Sequence, residues 1–306
     1  MKGIALILAA AAASAALAAD EPLVKGLLIG EKASPSCRAS KLPYSLGMAR
    51  YTMWNTPFDR ALDITEALEC RYMSLIEGSI ARDASDAEIA AYKARLAKRG
   101  ITVDTLGPVY YDDEKTIEDA FAFAKRYGMK MISVVPFEKR KVDGKETRVE
   151  SDAMLDVLER LVRKYDIKAG IHNHGPDIPY LFPTGEKSWN MVKDLDARMG
   201  LCLDMGHDFR AKANPADSIR RFHTRIYDMH IKNVKFDPVK NRAMPMPRGD
   251  MNMWEIVNAL VDMGYDNCCS LEYESFPPKG EKPGIKADEV AESIGYFKGL
   301  MKAIEG

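Results

Sequence analysis

The sequence predicts an α/β fold, a single-domain (β/α)8 barrel preceded by an N-terminal signal peptide. Three observations predict it. Short apolar runs alternate with amphipathic stretches, the pattern of a parallel sheet with helical crossovers. Eight such units can be counted, which favours a closed barrel over an open sheet. The last four apolar runs each end in polar, metal-capable residues, and a (β/α) barrel carries its chemistry at that end of its strands.

The chain opens with a leader over residues 1–19. Lys2 supplies the positive start, residues 4–15 are apolar, and Ala16-Leu17-Ala18 satisfies the small-residue rule for cleavage. The apolar stretch is short for a membrane span. A periplasmic or secreted protein is therefore expected, with no membrane association after cleavage. Residues 20–43 read as an N-terminal extension and residues 44–306 as the barrel. Strands are expected at 44–53, 72–77, 101–107, 130–136, 167–173, 199–204, 226–232 and 268–273. The helices between them have legible ends. Ser85 and Glu88 form a capping box ahead of a helix that stops at Gly100, and another helix stops at Gly128. Asn214-Pro215 places a cap and a first-turn proline, and Asn252 caps a helix that ends at Gly264. The stretch 277–286 reads as irregular decoration.

Composition narrows the function. Lys and Arg total 44 against 45 Asp and Glu, a net charge of -1, which argues against a nucleic-acid partner. Hydrophobic residues make up 46% of the chain, enough for a substantial core. Five cysteines with no CxxC pair argue against a zinc ribbon or a thioredoxin-like motif. Cys202 and Cys268 fall within apolar strands and read as small core residues, and the partner of Cys37 stays open. So does the oligomeric state.

The last four strand ends read AGIHNHG, GLCLDMGH, YDMHIKN and SLEYE. Side chains alternate along a strand. If Asp204 points into the barrel, Leu201 and Leu203 face the helices. The same phase sends His172, His174, His230, Lys232, Glu272 and Glu274 inward, and Ile171, Met229, Ile231, Leu271 and Tyr273 outward. His172, Asp204, His230 and Glu272 thus form a candidate site for one divalent metal. Two imidazoles and two carboxylates suit Mn²⁺, with Co²⁺, Zn²⁺ and Fe²⁺ as alternatives, better than Ca²⁺, which prefers oxygen. His174 is the alternative fifth-strand ligand. Asp228 should lie inside the barrel below His230, with Lys168 or Ser270 as its partner, in a structural role. Glu77 ends the second strand, and Tyr110 and Tyr111 follow the third.

These motifs resemble the xylose-isomerase-like TIM barrel family, also called the sugar phosphate isomerase/epimerase superfamily. The resemblance runs from YSLGMARYTM and FDRALDITEALECRYMSLIEG through LAKRGITVDTLGPVY and AFAKRYGMKMISVVPF to the four strand ends. The HNHGP form is similar to that of a secreted bacterial subgroup with 3-keto-glycoside lyases. The resemblance implies Glu, Asp, His and Glu ligands on the fifth to eighth strands. Asp204, His230 and Glu272 match three of them, and His172 stands where the family has glutamate. It also implies that His207 lies near substrate and metal, that Lys232 matches a lysine of the family's His-Ile-Lys-Asp, and that Arg248 reaches substrate. Asn233 replaces the aspartate of that last motif.

The implied chemistry is proton removal next to a sugar carbonyl, assisted by the metal. A two-carboxylate epimerase mechanism conflicts with His172, whereas elimination needs only one base and one acid. The leading expectation is a lyase acting on a 3-keto-glycoside. His174, His207, Glu272 and Lys232 are the expected catalytic residues, and Lys232, Arg248, Glu274 and Glu77 the expected substrate-binding ones. The alternatives are an isomerase or epimerase of a non-phosphorylated sugar and an inactive sugar-binding barrel. An endonuclease of the same fold would require a basic surface.

Overall fold

The computed structural model describes residues 45–175, 181–236, 242–274 and 286–305. The expected leader and the N-terminal extension lie outside the described residues, as does Cys37. Eight parallel strands close into a barrel. In chain order they are β1 (Ser45–Ala49), β2 (Tyr72–Leu75), β3 (Thr102–Tyr111), β4 (Met131–Pro136), β7 (Lys168–His172), β8 (Met199–Asp204), β9 (Ile226–Ile231) and β12 (Cys268–Leu271). Each pairs with the next, and β12 pairs with β1. No described helix is long and apolar enough to cross a membrane.

The helices are α1 (Phe58–Ala67), α2 (Asp86–Ala97), α3 (Glu114–Tyr127), α4 (Asp152–Tyr165), α5 (Gly185–Val192), α6 (Met205–Arg210), α7 (Pro215–Phe222), α8 (Met253–Asp262) and α9 (Ala287–Glu305). Their caps follow the sequence. The Ser85 hydroxyl accepts the Glu88 N–H while the Glu88 carboxylate accepts the Ser85 N–H. Asn214 accepts from the Ala216 N–H and Asn252 from the Glu255 N–H. Gly128 ends α3 at φ +86°, a left-handed position that only glycine adopts at no steric cost.

Two expectations are corrected, and two elements were not expected. The first strand ends at Ala49, and Arg50–Met53 forms a 3-10 turn. The Arg50 guanidinium there bonds the carbonyls of Met53 and Thr56, which curls the chain away from the sheet. The third strand does not stop at Gly107 but runs to Tyr111, because a register shift between Leu106 and Val109 absorbs Pro108. Two antiparallel hairpins stand in strand–helix loops at the C-terminal mouth. They are β5 (Glu138–Val142) with β6 (Lys145–Val149), and β10 (Asn233–Lys235) with β11 (Arg242–Met244). Asp143-Gly144 makes the turn of the first, both with positive φ, and that dipeptide is the signal that could have revealed it.

Candidate metal centre

Each of the last four barrel strands carries one donor to a common point. His172 is the last residue of β7 and Asp204 the last of β8, His230 is the fifth residue of β9, and Glu272 directly follows β12. All four are buried. One donor atom from each lies within 4.8 Å of one from every other. His172 Nε2 is 3.2 Å from His230 Nδ1, and His230 Nδ1 is 3.3 Å from Glu272 Oε1. Two donors about 2.1 Å from a shared ion stand roughly 3.0–3.4 Å apart in right-angled or tetrahedral geometry. The imidazole nitrogens and the carboxylate therefore fit one divalent ion. His172 Nε2 and Asp204 Oδ2 are wider, at 3.8 Å. Burial holds the His172 pKa well below its ordinary value, so the ring is neutral, as a ligand must be.

Neighbouring residues set the donors' orientation. The Asn173 amide donates to the Asp204 carbonyl at 2.9 Å and accepts the Asp204 N–H at 2.8 Å, which locks the ends of β7 and β8 together. Asp204 caps α6, with Oδ1 accepting the His207 N–H at 2.9 Å. Lys232 is fully buried, and its ammonium meets Asp204 Oδ2 at 2.8 Å, Glu272 Oε2 at 2.6 Å and Glu274 Oε1 at 2.7 Å. Burial pulls its pKa down, but the three carboxylates outweigh burial and raise it. Gly206 makes room for its stem, because a Cβ there would sit 2.3 Å from Lys232 Cγ. Glu274 also binds Arg210, whose other nitrogen faces His207 Nδ1 at 3.1 Å.

His174 belongs to a second layer. Its ring stacks on His207 with centroids 4.3 Å apart and lies 6.3 Å from the His172 ring. Thus His172, not His174, joins the donor cluster. Burial lowers the pKa of both outer imidazoles, that of His207 to about 4.

Two expected substrate-binding residues stand elsewhere. Arg248 is exposed and paired with Glu292 of α9 at 2.6 Å, because its 3-10 turn lies against that helix. Glu77 is partly exposed and bonds Arg82. Asp228 is buried as expected, but Lys168 lies over the Tyr227 ring instead of against it. The Asp228 carboxylate accepts the Met229 N–H. Cys202 is fully buried, whereas Cys268 is partly exposed. The Tyr111 hydroxyl donates to the Met154 carbonyl, a packing role, whereas Tyr110 remains beside the mouth. Sequence reasoning missed Asn173 and Arg210. The first was legible as a polar residue between two histidines, while the second meets Glu274 only through the fold.

Fold and site define a class: a (β/α)8 barrel with a mixed nitrogen and oxygen cluster at its C-terminal mouth. The profile of the xylose isomerase-like TIM barrel matches residues 58–300, and the chain belongs to that family. An uncharacterized protein of Methanocaldococcus jannaschii is 25% identical over 138 residues, 44% of this chain and 45% of that protein's length. The chain thus spans about half the length of this curated relative. The D-psicose 3-epimerase of Clostridium cellulolyticum H10, solved with D-tagatose, superposes with a TM-score of 0.65 at 14% identity over 84% of this chain and 99% of that one. A probable 3-DHS dehydratase from Bacillus anthracis superposes at 0.63 with 15% identity over 83% and 98%. At these identities the likeness is one of fold.

Proposed function

We propose that this chain is a divalent-metal-dependent enzyme that removes a proton next to a sugar carbonyl, and that its reaction is β-elimination from a 3-keto-glycoside. The observation that carries this reading is the convergence of His172, Asp204, His230 and Glu272 on one point at the barrel mouth. A bound ion, Mn²⁺ before Co²⁺, Zn²⁺ or Fe²⁺, would supply Lewis-acid stabilisation of charge developing on the C3 oxygen.

The protein's own groups supply the rest. His174 and His207 are neutral near pH 7, so either can accept the C2 proton. The C1–O bond then breaks, a C1=C2 double bond forms, and the aglycone leaves with a proton from a neighbouring acid. Lys232 holds Glu272 and Glu274 in place, and its ammonium is buried against the donor cluster. The expected leader adds support, because an exported enzyme meets glycosides more readily than sugar phosphates.

Epimerisation of a free ketose is the second reading, favoured by the epimerase among the structural neighbours. His172 stands where a second carboxylate base would be needed. The test is to incubate metal-stripped protein with 3-keto-glycosides and free ketoses, with Mn²⁺, Co²⁺, Zn²⁺ or no addition, and to follow products by NMR. Aglycone release that depends on metal is expected. A rearranged sugar would identify the epimerase. Full activity in EDTA would end the metal reading.

A further inference from the structure

The β5–β6 hairpin follows β4 at the C-terminal mouth and carries a cation with no counter-ion among the described residues. Arg148 of β6 lies directly across from Lys139 of β5. Like charges in that position repel, and sheets avoid them unless something else stabilises the pair. Lys139 is neutralised by Asp112, at 2.6 Å. Arg148 has no carboxylate partner among the described residues. Its guanidinium lies instead over the rings of Phe137, at 4.6 Å, and Tyr110, at 5.7 Å.

That stacking aims the cation. Phe137 is buried, and Tyr110 is in the last turn of chain of β3, at the barrel mouth. Tyr111, the next residue, turns outward to bond the Met154 carbonyl of α4, so Tyr110 alternates to the barrel side of the strand end. The hairpin is also tied down. Ser151 donates to Glu138 at 3.2 Å at its base, and Lys139 reaches the loop after β3. Residues 138–149 hold five basic and three acidic side chains, so the local field is positive.

We propose that Arg148 is a specificity-determining residue that binds a carboxylate carried by the sugar substrate, away from the carbon that reacts. The inference rests on the sugar-carbonyl reading and names its substrate class as an acidic sugar or glycoside. The guanidinium lies over aromatic rings, and its N–H edge meets no carboxylate among the described residues. Such an edge matches two carboxylate oxygens in one plane. The charge balance agrees. Asp204, Glu272 and Glu274 face Lys232 and Arg210, and a divalent ion would turn this centre net positive.

The test is calorimetric titration of the Mn²⁺-loaded full chain with D-glucuronate, D-glucose and glucose 6-phosphate. Glucuronate should bind about tenfold more tightly than glucose. Arg148→Gln should reduce that ratio to about two or less, and Arg148→Lys should retain part of it. Arg140→Gln is the control. Arg140 alternates to the other face of β5 and pairs with Glu138, so the ratio should not change. Equal affinities in the wild type, no glucuronate binding, or a ratio untouched by Arg148→Gln would overturn the proposal. Tighter binding of glucose 6-phosphate than of glucuronate would overturn the carboxylate assignment. Sugar binding unaffected by EDTA would instead overturn the metal-dependent reading. The glucuronate-to-glucose ratio in the stripped protein would still judge Arg148.

Discussion

Asp204 and Glu272 each divide their two oxygens between tasks. Asp204 Oδ1 accepts the His207 N–H, and Oδ2 faces Lys232 and the donor cluster. Glu272 Oε2 takes Lys232, and Oε1 faces His230. Neither carboxylate can rotate without losing a buried partner. Removing a donor should therefore cost metal before it costs fold. His172→Ala and Glu272→Ala are expected to purify with less than stoichiometric metal and unchanged far-UV circular dichroism, and wild-type metal content in both would refute the assignment. Lys232 predicts the opposite order. Lys232→Met leaves buried Asp204 and Glu272 without their ammonium, while Glu274 keeps Arg210, a defect worth about 3–5 kcal/mol in urea unfolding. Added Mn²⁺ should restore part of that loss, since it returns positive charge to the same carboxylates. A stability within about 0.5 kcal/mol of wild type would show that the ammonium does not hold the site together.

Among the elements, the junction of β7 and β8 decides the geometry. Asn173 alone makes two hydrogen bonds across it. Asn173→Ala should weaken metal binding by roughly 10–100-fold, the usual effect of losing a residue that orients ligands. Titration with a metal-responsive dye would read it, and unchanged affinity would place the rigidity elsewhere. Asp208 performs a similar task one layer out. It accepts the Gly185 N–H at 2.8 Å and the Ser218 hydroxyl at 2.5 Å, joining α5, α6 and α7. Burial pushes its pKa up to about 6. The folded protein thus holds that proton more tightly than an unfolded chain, whose Asp titrates near about 3.9. The stabilising effect is complete below that value and is lost as pH rises through 6. Relative to Asp208→Asn, the wild type should lose about 2 kcal/mol between about pH 4 and about pH 7, as measured by denaturant unfolding. A constant difference across that range would show that Asp208 is ionised throughout.

Element boundaries were legible where a local signal exists. The Ser85, Asn214 and Asn252 caps and the Gly128 stop depend on residues within one turn of the helix end, so the sequence displays them. The same locality explains the misses. Nothing near Gly107 shows that a neighbouring strand will tolerate a register shift, and Arg50 curls the first strand through carbonyls that the strand pattern does not reveal. At the site, strand parity was enough to send His172, His174, Asp204, His230 and Glu272 inward, but not to choose between the two fifth-strand histidines. It sent Lys232 and Glu274 inward as well but did not show that they bond each other. Arg248 is the counter-example. The family resemblance of Arg248-Gly249 implied reach toward substrate, while α9 supplies Glu292 from far along the chain.

At the scale of the whole molecule, barrel closure is what brings four strands to one point. A metal that joins them should stabilise the native state by mass action. With Mn²⁺ at about one hundred times its dissociation constant, the gain is about 2.7 kcal/mol. A rise in melting temperature that EDTA abolishes, and that is absent in His172→Ala, is the expected outcome in a thermal melt. No shift with any of the four candidate ions would refute a site shared between strands. The amino-acid sequence by itself determined the alternation of strands and helices, the helix caps and the inward phase of each strand-end donor, because each follows from neighbours a few residues apart. Only the tertiary structure decided that His172 rather than His174 joins the cluster, that Lys232 is enclosed by three carboxylates, and that Arg148 stands over Tyr110. Those outcomes depend on distances between strands, and such distances exist only once the sheet has closed.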